Sequence, residues 1–372
     1  MKILIDLTSI YDKLSGIEKF CLNISKNMIF NDTSNEYLLL FKKEIHEEFK
    51  FIHDRQNIDY KILNVNNKIL LDQIVVPFQL YKYKCDAYLF LAFPSPALFF
   101  SKKTVNAVHD MTPWLFPETM SFKGLVYFKF LIKLALLRSK LILTVSNNSK
   151  KDILRFYNHN NIQIINNGVD KRYRETDNSE INDVRIKYNL PQKYLLCIGT
   201  LEPRKNTKLL IDAFVNLKIK KNIPHKLVIT GRHGWKYDSI LSEIKEKNLE
   251  KEIIFTGFVD EADLPCIYKG ADLFVFPSLY EGFGIPPLEA MASGVPVIVS
   301  DSSSLPEVVG EKGIMFENNN QFDLENKIID YINLEESKKK EYIQYCLERS
   351  KMFKWENESK KLLNVLEKNF KR

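Results

Sequence analysis

The sequence predicts an α/β protein of two Rossmann-like domains, each a parallel sheet covered by helices on both faces. Three observations lead there. The chain has 372 residues, and at roughly 150 residues per domain that is room for two. Short apolar or β-branched runs alternate with helix-period patterns along its length, as strands buried on both faces and joined by crossover helices do. The alternation comes in two sets, divided by a polar, charged and weakly patterned stretch placed at 167–190. The expected domains are therefore 1–167 and 168–354, with a final helix at 355–372 returning to the first.

The elements follow in order. Lys2–Leu7 is a strand-like run. The turn Lys13-Leu14-Ser15-Gly16 leads into a helix pattern with Ile17, Phe20, Cys21, Ile24 and Met28 at helical spacing. Tyr37–Phe41, Val105–His109 and Leu141–Val145 read as further buried strands. The second set is cleaner. Tyr194–Gly199, Leu227–Thr230, Ile253–Gly257, Leu273–Pro277 and Val295–Val299 are compact apolar runs bounded by Gly or Pro. Helix patterns at 206–220, 238–247 and 287–293 separate them, and Glu356–Phe370 closes the chain.

Composition excludes several classes. A hydrophobic fraction of 45% with 27% charged residues is incompatible with wholesale disorder. The cysteines, at 21, 85, 197, 266 and 346, are odd in number and contain no C-x-x-C. That argues against a disulfide scaffold, a zinc ribbon and a thioredoxin-type site, and for reduced thiols in a cytoplasmic chain. Asp6 comes too early for a secretory signal. The longest apolar stretch, Ala87–Phe100, is broken by Pro94 and Pro96 and falls short of the roughly 20 residues of a spanning helix.

The net charge is +7. Residues 1–167 hold 22 Lys and Arg against 15 Asp and Glu, and the remainder holds 32 of each. The whole excess lies in the first half, which points to an anionic partner on that side. Residues 119–156 carry eight cations and one acid, with Phe122, Leu125, Val126, Phe128, Leu131, Ile132 and Leu136 interleaved. Two readings stand: a helix lying on an anionic membrane surface, or a core helix with a solvated basic face. No basic stripe fits a nucleic-acid module, so nucleic acid is not expected as a partner.

The strongest chemical signal is Phe276-Pro-Ser-Leu-Tyr-Glu281-Gly-Phe-Gly-Ile-Pro-Pro-Leu-Glu289. A strand ends, a glycine loop follows, and a helix starts at Pro286 or Pro287. Ligands of open α/β sheets bind beyond the carboxyl ends of strands. Gly282 and Gly284 allow close backbone approach, and a helix N-terminus favours an anion. Glu281, in the loop, and Glu289, expected in the first helical turn, are suited to accept hydrogen bonds from a diol. The second signal, Gly199-Thr200-Leu201-Glu202-Pro203-Arg204-Lys205-Asn206, also joins a strand to a helix. Arg204 and Lys205 there would neutralise a diphosphate. No two aspartates flank a single residue, so the D-x-D clamp for a metal-bound diphosphate is absent, and these cations take on its task. Gly16 forms a phosphate-friendly turn, and His109 ends a strand; each also has a purely structural reading.

Together these motifs resemble the retaining nucleotide-sugar glycosyltransferases of family 4. The matching strings are E-G-F-G-x-P-P-L-E-A-M-A-x-G-V-P-V at Glu281 and G-T-L-E-P-R-K-N at Gly199. His109-Asp110-x-x-Pro113, Asn167-Gly168-Val169-Asp170 and Ser303-Ser304-Leu305-Pro306-Glu307-Val308 look like the same family. The resemblance runs from about residue 100 to 320. It implies the GT-B fold, two Rossmann-like domains facing a central cleft. The E-P-R-K-N and S-S-L-P-E-V strings look most like the bacterial O-polysaccharide mannosyltransferases.

The resemblance implies roles. Glu281 would hold donor-sugar hydroxyls, with Gly282, Phe283 and Gly284 beside sugar and phosphate. Glu289 would bind the ribose. Arg204 and Lys205 would grip the diphosphate, near Thr200. Gly16 would face the phosphates and His109 the donor sugar. Gly231-Arg232 and Phe258-Val259 would surround the base. Glu18 and Lys19 depart from the family pattern, which has a small residue and an arginine there. The implied activity is transfer of a hexose with retention, mannose from GDP-mannose being favoured, to a growing lipid-linked polysaccharide such as O-antigen. No cofactor or metal is expected. Rhamnosyl, glucosyl or galactosyl transfer, a phosphorylase, a nucleotide-sugar epimerase and a non-catalytic nucleotide-sugar-binding subunit stay open.

Overall fold

A computed structural model of the chain describes residues 1–11, 14–231 and 244–371. It divides into two compact units, Met1–Gly168 with Lys354–Arg372, and Val169–Phe353. Each holds one sheet whose strand pairs are all parallel.

The first unit has seven strands: β1 Lys2–Asp6, β2 Glu36–Phe41, β3 Ile58–Ile62, β4 Ala87–Phe90, β5 Thr104–Ala107, β6 Leu141–Thr144 and β7 Ile162–Ile164. Their spatial order is 3-2-1-4-5-6-7, so the direction of winding reverses between β1 and β4. Ile3, Leu4, Ile5 and Leu89 have no exposed surface, as central parallel strands require. Helix α1 (Gly16–Asn31) buries Phe20, Cys21, Ile24 and Met28, the face set by the sequence spacing. The Phe122–Arg138 helix (α2) buries Leu131, Ile132, Ala135 and Leu136 yet exposes Phe122, Val126, Phe130 and Leu137. It is a core helix along one side only.

Two features differ from the sequence reading here. The strand expected to reach His109 ends at Ala107, leaving His109 in the following loop. The polar stretch taken as a linker contains a helix, Asn178–Lys187. It carries too few apolar residues to show a period, and it packs through Val184.

The second unit has six strands: β8 Tyr194–Ile198, β9 Lys226–Thr230, β10 Ile253–Gly257, β11 Leu273–Phe276, β12 Val297–Ser300 and β13 Ile314–Phe316. Their order is 10-9-8-11-12-13, with the reversal between β8 and β11. Helix α3 (Thr207–Lys221) packs Leu210, Phe214 and Leu217 against β8 and β9 residues such as Leu195 and Leu227. Helix α4 (Ile285–Ala292) follows β11.

The terminal helix α5 (Trp355–Phe370) lies on α1 in the first unit. The Phe20 and Trp355 rings meet edge-on at 6.2 Å. Gly168 makes this return possible, since a Cβ there would stand 2.5 Å from the Trp355 amide nitrogen. With α5 included, the first unit holds 28 Lys and Arg against 18 Asp and Glu, and the second 26 against 29. The five cysteines are buried and free. Among the described residues no helix is long and apolar enough to cross a membrane.

Candidate functional site

The two strongest sequence motifs follow β8 and β11, the neighbouring strands at which the second sheet reverses. Chains leaving such strands diverge to opposite faces and leave a crevice beyond their carboxyl ends. After β8, Pro203–Lys205 forms one 3-10 turn with proline at its first position. Asn206 then takes a left-handed conformation at φ 50° and starts α3. After β11, the Leu279 amide donates to the Arg204 carbonyl at 2.8 Å, tying the two loops together.

This brings Arg204, Lys205 and Glu281 into one cluster. Lys205 Nζ lies 2.7 Å from Glu281 Oε1 and Arg204 Nη1 lies 3.2 Å from Glu281 Oε2. Arg204 also reaches Glu202 at 2.6 Å and donates to the Tyr280 carbonyl at 2.7 Å. Lys205 stands 5.1 Å over the Phe276 ring. Glu281 is only 9% exposed. Burial pushes its pKa up, but Lys205 and Arg204, with the Ser278 hydroxyl, outweigh this and hold it below the usual carboxylate range. The acid expected on the sugar and the cations expected on the diphosphate are thus one electrostatic unit. Lys205 has three donors, and Glu281 takes one of them.

A set of serines fixes the Glu281 loop. Ser278 Oγ donates to Glu281 Oε1 at 2.6 Å, and Ser303 Oγ accepts the Glu281 amide at 2.8 Å. Ser304 Oγ bonds the Glu281 and Phe283 carbonyls at 2.9 and 2.6 Å. Ser300 Oγ donates to the Ser278 carbonyl at 2.5 Å. The sequence reading gave these hydroxyls no role. The available signal was Ser303-Ser304 in the loop just beyond a buried strand, a site for side-chain bonds to backbone.

Gly282, Phe283 and Gly284 are buried. Gly284 has φ 120°, and a Cβ on it would stand 2.8 Å from Leu305 Cδ2, so a side chain is excluded. It caps α4, which begins at Ile285 with both prolines in its first turn. Glu289 therefore falls in the second turn, one turn later than expected. Only 7% exposed, it accepts a hydrogen bond on Oε2 from the Tyr268 hydroxyl at 2.9 Å. Burial, reinforced by the Glu289 charge, holds the Tyr268 pKa far up, so this tyrosine stays a donor. Tyr268 has no place in the sequence motifs.

Gly231 has φ 150°, and a Cβ there would lie 2.0 Å from the Gly199 carbonyl oxygen. The ends of β8 and β9 touch through backbone alone. Thr200 and Phe258 are exposed and Val259 is buried. Arg232 lies outside the described residues, as does most of the 238–247 pattern.

Two predicted residues belong to the first unit. Gly16 opens α1 and is exposed. Beside it, Glu18 accepts the Ser15 amide at 3.0 Å and the Ser15 hydroxyl. The departure from the family pattern thus supplies a carboxylate partner for the helix start. His109 Nε2 bonds the Leu91 carbonyl at 2.8 Å, and Phe20 packs edge-on against its ring at 5.0 Å. A carbonyl only accepts, so Nε2 carries the proton. Burial lowers the imidazole pKa despite that bond. Neutral His109 therefore presents Nδ1 as an acceptor.

Comparison with known proteins identifies the family. The model described as glycosyl transferases group 1 matches residues 179–348. O-antigen chain mannosyltransferase B of Escherichia coli is 34% identical over 267 residues, 71% of this chain and 70% of that protein. The chain belongs to the group 1 glycosyltransferases.

A further relative, the serotype-specific mannosyltransferase WbdA of Escherichia coli, is 31% identical over 264 residues. That alignment covers 68% of this glycosyltransferase and 32% of WbdA, so the chain spans about a third of that relative. Among solved structures, Anabaena HepE in complex with UDP-glucose superposes with a TM-score of 0.73 at 19% identity. The match covers 99% of this chain and 100% of that one, and supports the GT-B fold. The family match contains the Arg204–Lys205–Glu281 cluster and Glu289; Gly16 and His109 lie outside it.

Proposed function

We propose that this glycosyltransferase moves a hexose from a nucleoside diphosphate sugar to a growing polysaccharide of the O-antigen type, with retention of configuration. The observation that carries the proposal is the Arg204–Lys205–Glu281 cluster at the reversal of the second sheet. Mannose from GDP-mannose is the favoured donor, since two similar relatives are named as mannosyltransferases. UDP-hexose is the second reading, favoured by the ligand of HepE.

In this reading Arg204 and Lys205 bind the diphosphate and stabilise the charge that grows on it as the glycosidic bond breaks. Glu281 is ionised and held by two cations, so it is a poor base and a poor nucleophile. It aligns Lys205 and accepts hydrogen bonds from the sugar. The departing phosphate then takes the acceptor proton on the face it leaves, which gives retention. Glu289, oriented by Tyr268, takes the ribose hydroxyls. Neutral His109 accepts a sugar hydroxyl. No metal is needed, because the fixed cations supply the counter-charge.

The test is product analysis. Purified enzyme is incubated with GDP-mannose, UDP-hexoses and dTDP-rhamnose in turn, with a lipid-linked O-antigen fragment as acceptor. An α-linked product from GDP-mannose in the presence of EDTA supports the reading. A β-linked product from GDP-mannose overturns retention, dependence on added metal overturns the cationic clamp, and free epimerised sugar nucleotide overturns transfer.

The same reading places the enzyme on an anionic membrane. Ile74 and Phe78 on one helical stretch, Phe122 and Phe130 on α2, and Phe100 in the β4–β5 loop are each more than half exposed. Gln73 donates to Tyr127 at 3.1 Å, and Arg138 donates to the Ala97 carbonyl at 2.8 Å, joining the three segments. Lys123 and Lys133 stand exposed among them. Apolar side chains with interspersed cations suit a lipid surface. Flotation with phosphatidylglycerol vesicles but not with phosphatidylcholine vesicles is expected; equal indifference to both removes the membrane from the reading.

A further inference from the structure

Four strands stand at sheet edges among the described residues: β3 and β7 in the first unit, β10 and β13 in the second. Folded proteins blunt such edges by shortening or bulging them. β7 and β13 have three residues each, and β10 carries a register shift between Phe255 and Gly257. β3 has neither protection. Its five residues, Ile58-Asp59-Tyr60-Lys61-Ile62, pair with β2 in unbroken register. We infer that β3 is the seam of a two-fold dimer, in which the same strand of a second copy of this chain adds antiparallel to it. The dimer does not depend on the transferase reading above.

The backbone sets which groups are on offer. The Tyr37 amide donates to the Asn57 carbonyl and the Leu63 amide to the Phe41 carbonyl, each at 2.9 Å. Odd-numbered residues from Asn57 to Leu63 thus turn their peptide groups to β2, and Ile58, Tyr60 and Ile62 turn theirs outward. Those outward groups make no hydrogen bond among the described residues. A two-fold axis at Tyr60 sets Tyr60 opposite itself and Ile58 opposite Ile62 of the second copy, so every outward N–H meets an outward C=O. The charges select this register. With the axis at Tyr60, Asp59 lies opposite Lys61 of the second copy, and Lys61 opposite Asp59. Both fall at non-hydrogen-bonded positions, where opposed Cα atoms stand about 4.5 Å apart and side chains are closest. An axis at Asp59 or at Lys61 would set like charges face to face, which destabilises. An axis between two residues would oppose outward groups to inward ones. Asp59 and Lys61 are exposed and in no ion pair among the described residues.

The other side of the strand is apolar. Ile62 pairs with Phe41 in register, so Ile58, Tyr60 and Ile62 share the face on which Phe41 meets Phe49 edge-on at 5.6 Å. Phe51 stacks on Phe49 at 6.3 Å, and the exposed Phe30 ring stands edge-on to Phe51 at 5.4 Å. His53 lies edge-on to Tyr60 at 5.7 Å. Tyr60 and Ile62 are exposed at the rim of this layer. In the dimer the two layers meet across the axis, ring against ring at Tyr60, and each copy covers the rim of the other. One self-complementary strand therefore supplies the hydrogen bonds, the charge pairs and the apolar contact of an isologous interface.

The experiment uses the full chain, with Asp59→Lys, Lys61→Asp and the double exchange as variants. Both side chains are exposed, so the fold should survive, and thermal unfolding checks that it does. Sedimentation velocity over a concentration series gives the dimer Kd of each protein and of an equimolar mixture of the two single variants. The wild type should dimerise at micromolar concentration. Each single variant meets only its own like charges across the axis, and its Kd should rise at least tenfold. The mixture and the double exchange restore both opposite pairs and should return close to the wild-type Kd. A wild type that stays monomeric at submillimolar concentration overturns the inference. So does a Kd unmoved in both single variants, or a mixture that associates no more tightly than its components.

Discussion

Replacing Glu281 by Gln removes one charge and almost no volume. Lys205, Arg204 and Glu281 have side chains only 16%, 16% and 11% exposed. Breaking a buried pair by deleting one partner costs about 3–5 kcal/mol, chiefly through the charge left behind. Arg204 keeps Glu202 at 2.6 Å, so Lys205 alone is orphaned, and the lower end, about 3 kcal/mol, applies. For a unit of the size of Val169–Phe353, 1 kcal/mol shifts Tm by about 2–4 °C, so a fall of about 6–12 °C is expected. Adding Lys205→Met removes the orphan, and the double variant should be no less stable than Glu281→Gln alone. The coupling read from the cycle should be about 2 kcal/mol. Scanning calorimetry on the four proteins measures it. Additive losses would refute the cluster as a unit. Because Glu281 is held below the ordinary carboxylate range, the wild-type advantage is full above that range and vanishes as pH falls through its lowered folded value. Turnover of the Gln variant should fall on the order of 100-fold; a normal rate would remove Glu281 from the reaction.

Tyr268→Phe deprives buried Glu289 of a donor; a loss of about 1–3 kcal/mol in thermal unfolding and a raised donor KM are expected, with kcat little changed. Gly231→Ala forces a Cβ onto the Gly199 carbonyl and should destabilise by about 3 kcal/mol, read by urea unfolding. His109 has its pKa lowered from 6.5, so the unfolded chain binds the extra proton as pH drops below 6.5. Its share of stability is complete above that pH and lost on acidification; His109→Gln should flatten that part of the stability–pH curve.

Much of this was legible in the sequence because strands buried on both faces leave compact apolar runs. Val105, Leu141, Leu195 and Leu227 announce themselves that way. Strand β4 did not, since Ala87–Phe90 merges into an apolar stretch with the loop after it. Strand β3 shows one buried residue in five, as an edge strand may, and so has no apolar run. The site motifs were visible from glycines, prolines and charges at strand ends. Their pairing was not: Lys205 and Glu281 are 76 positions apart, and only the adjacency of β8 and β11 brings them together. The serine contacts and Tyr268 depend on the same adjacency and on the packing around α4, which no local pattern encodes.

Where Gly231 meets Gly199, the ends of β8 and β9 approach as bare peptide. Nothing larger than hydrogen fits at Gly231, so mutation there has no vocabulary with which to change the shape or charge of the seam. Variation between these two strand ends must therefore be written in the loops around this seam, while the seam itself stays the same.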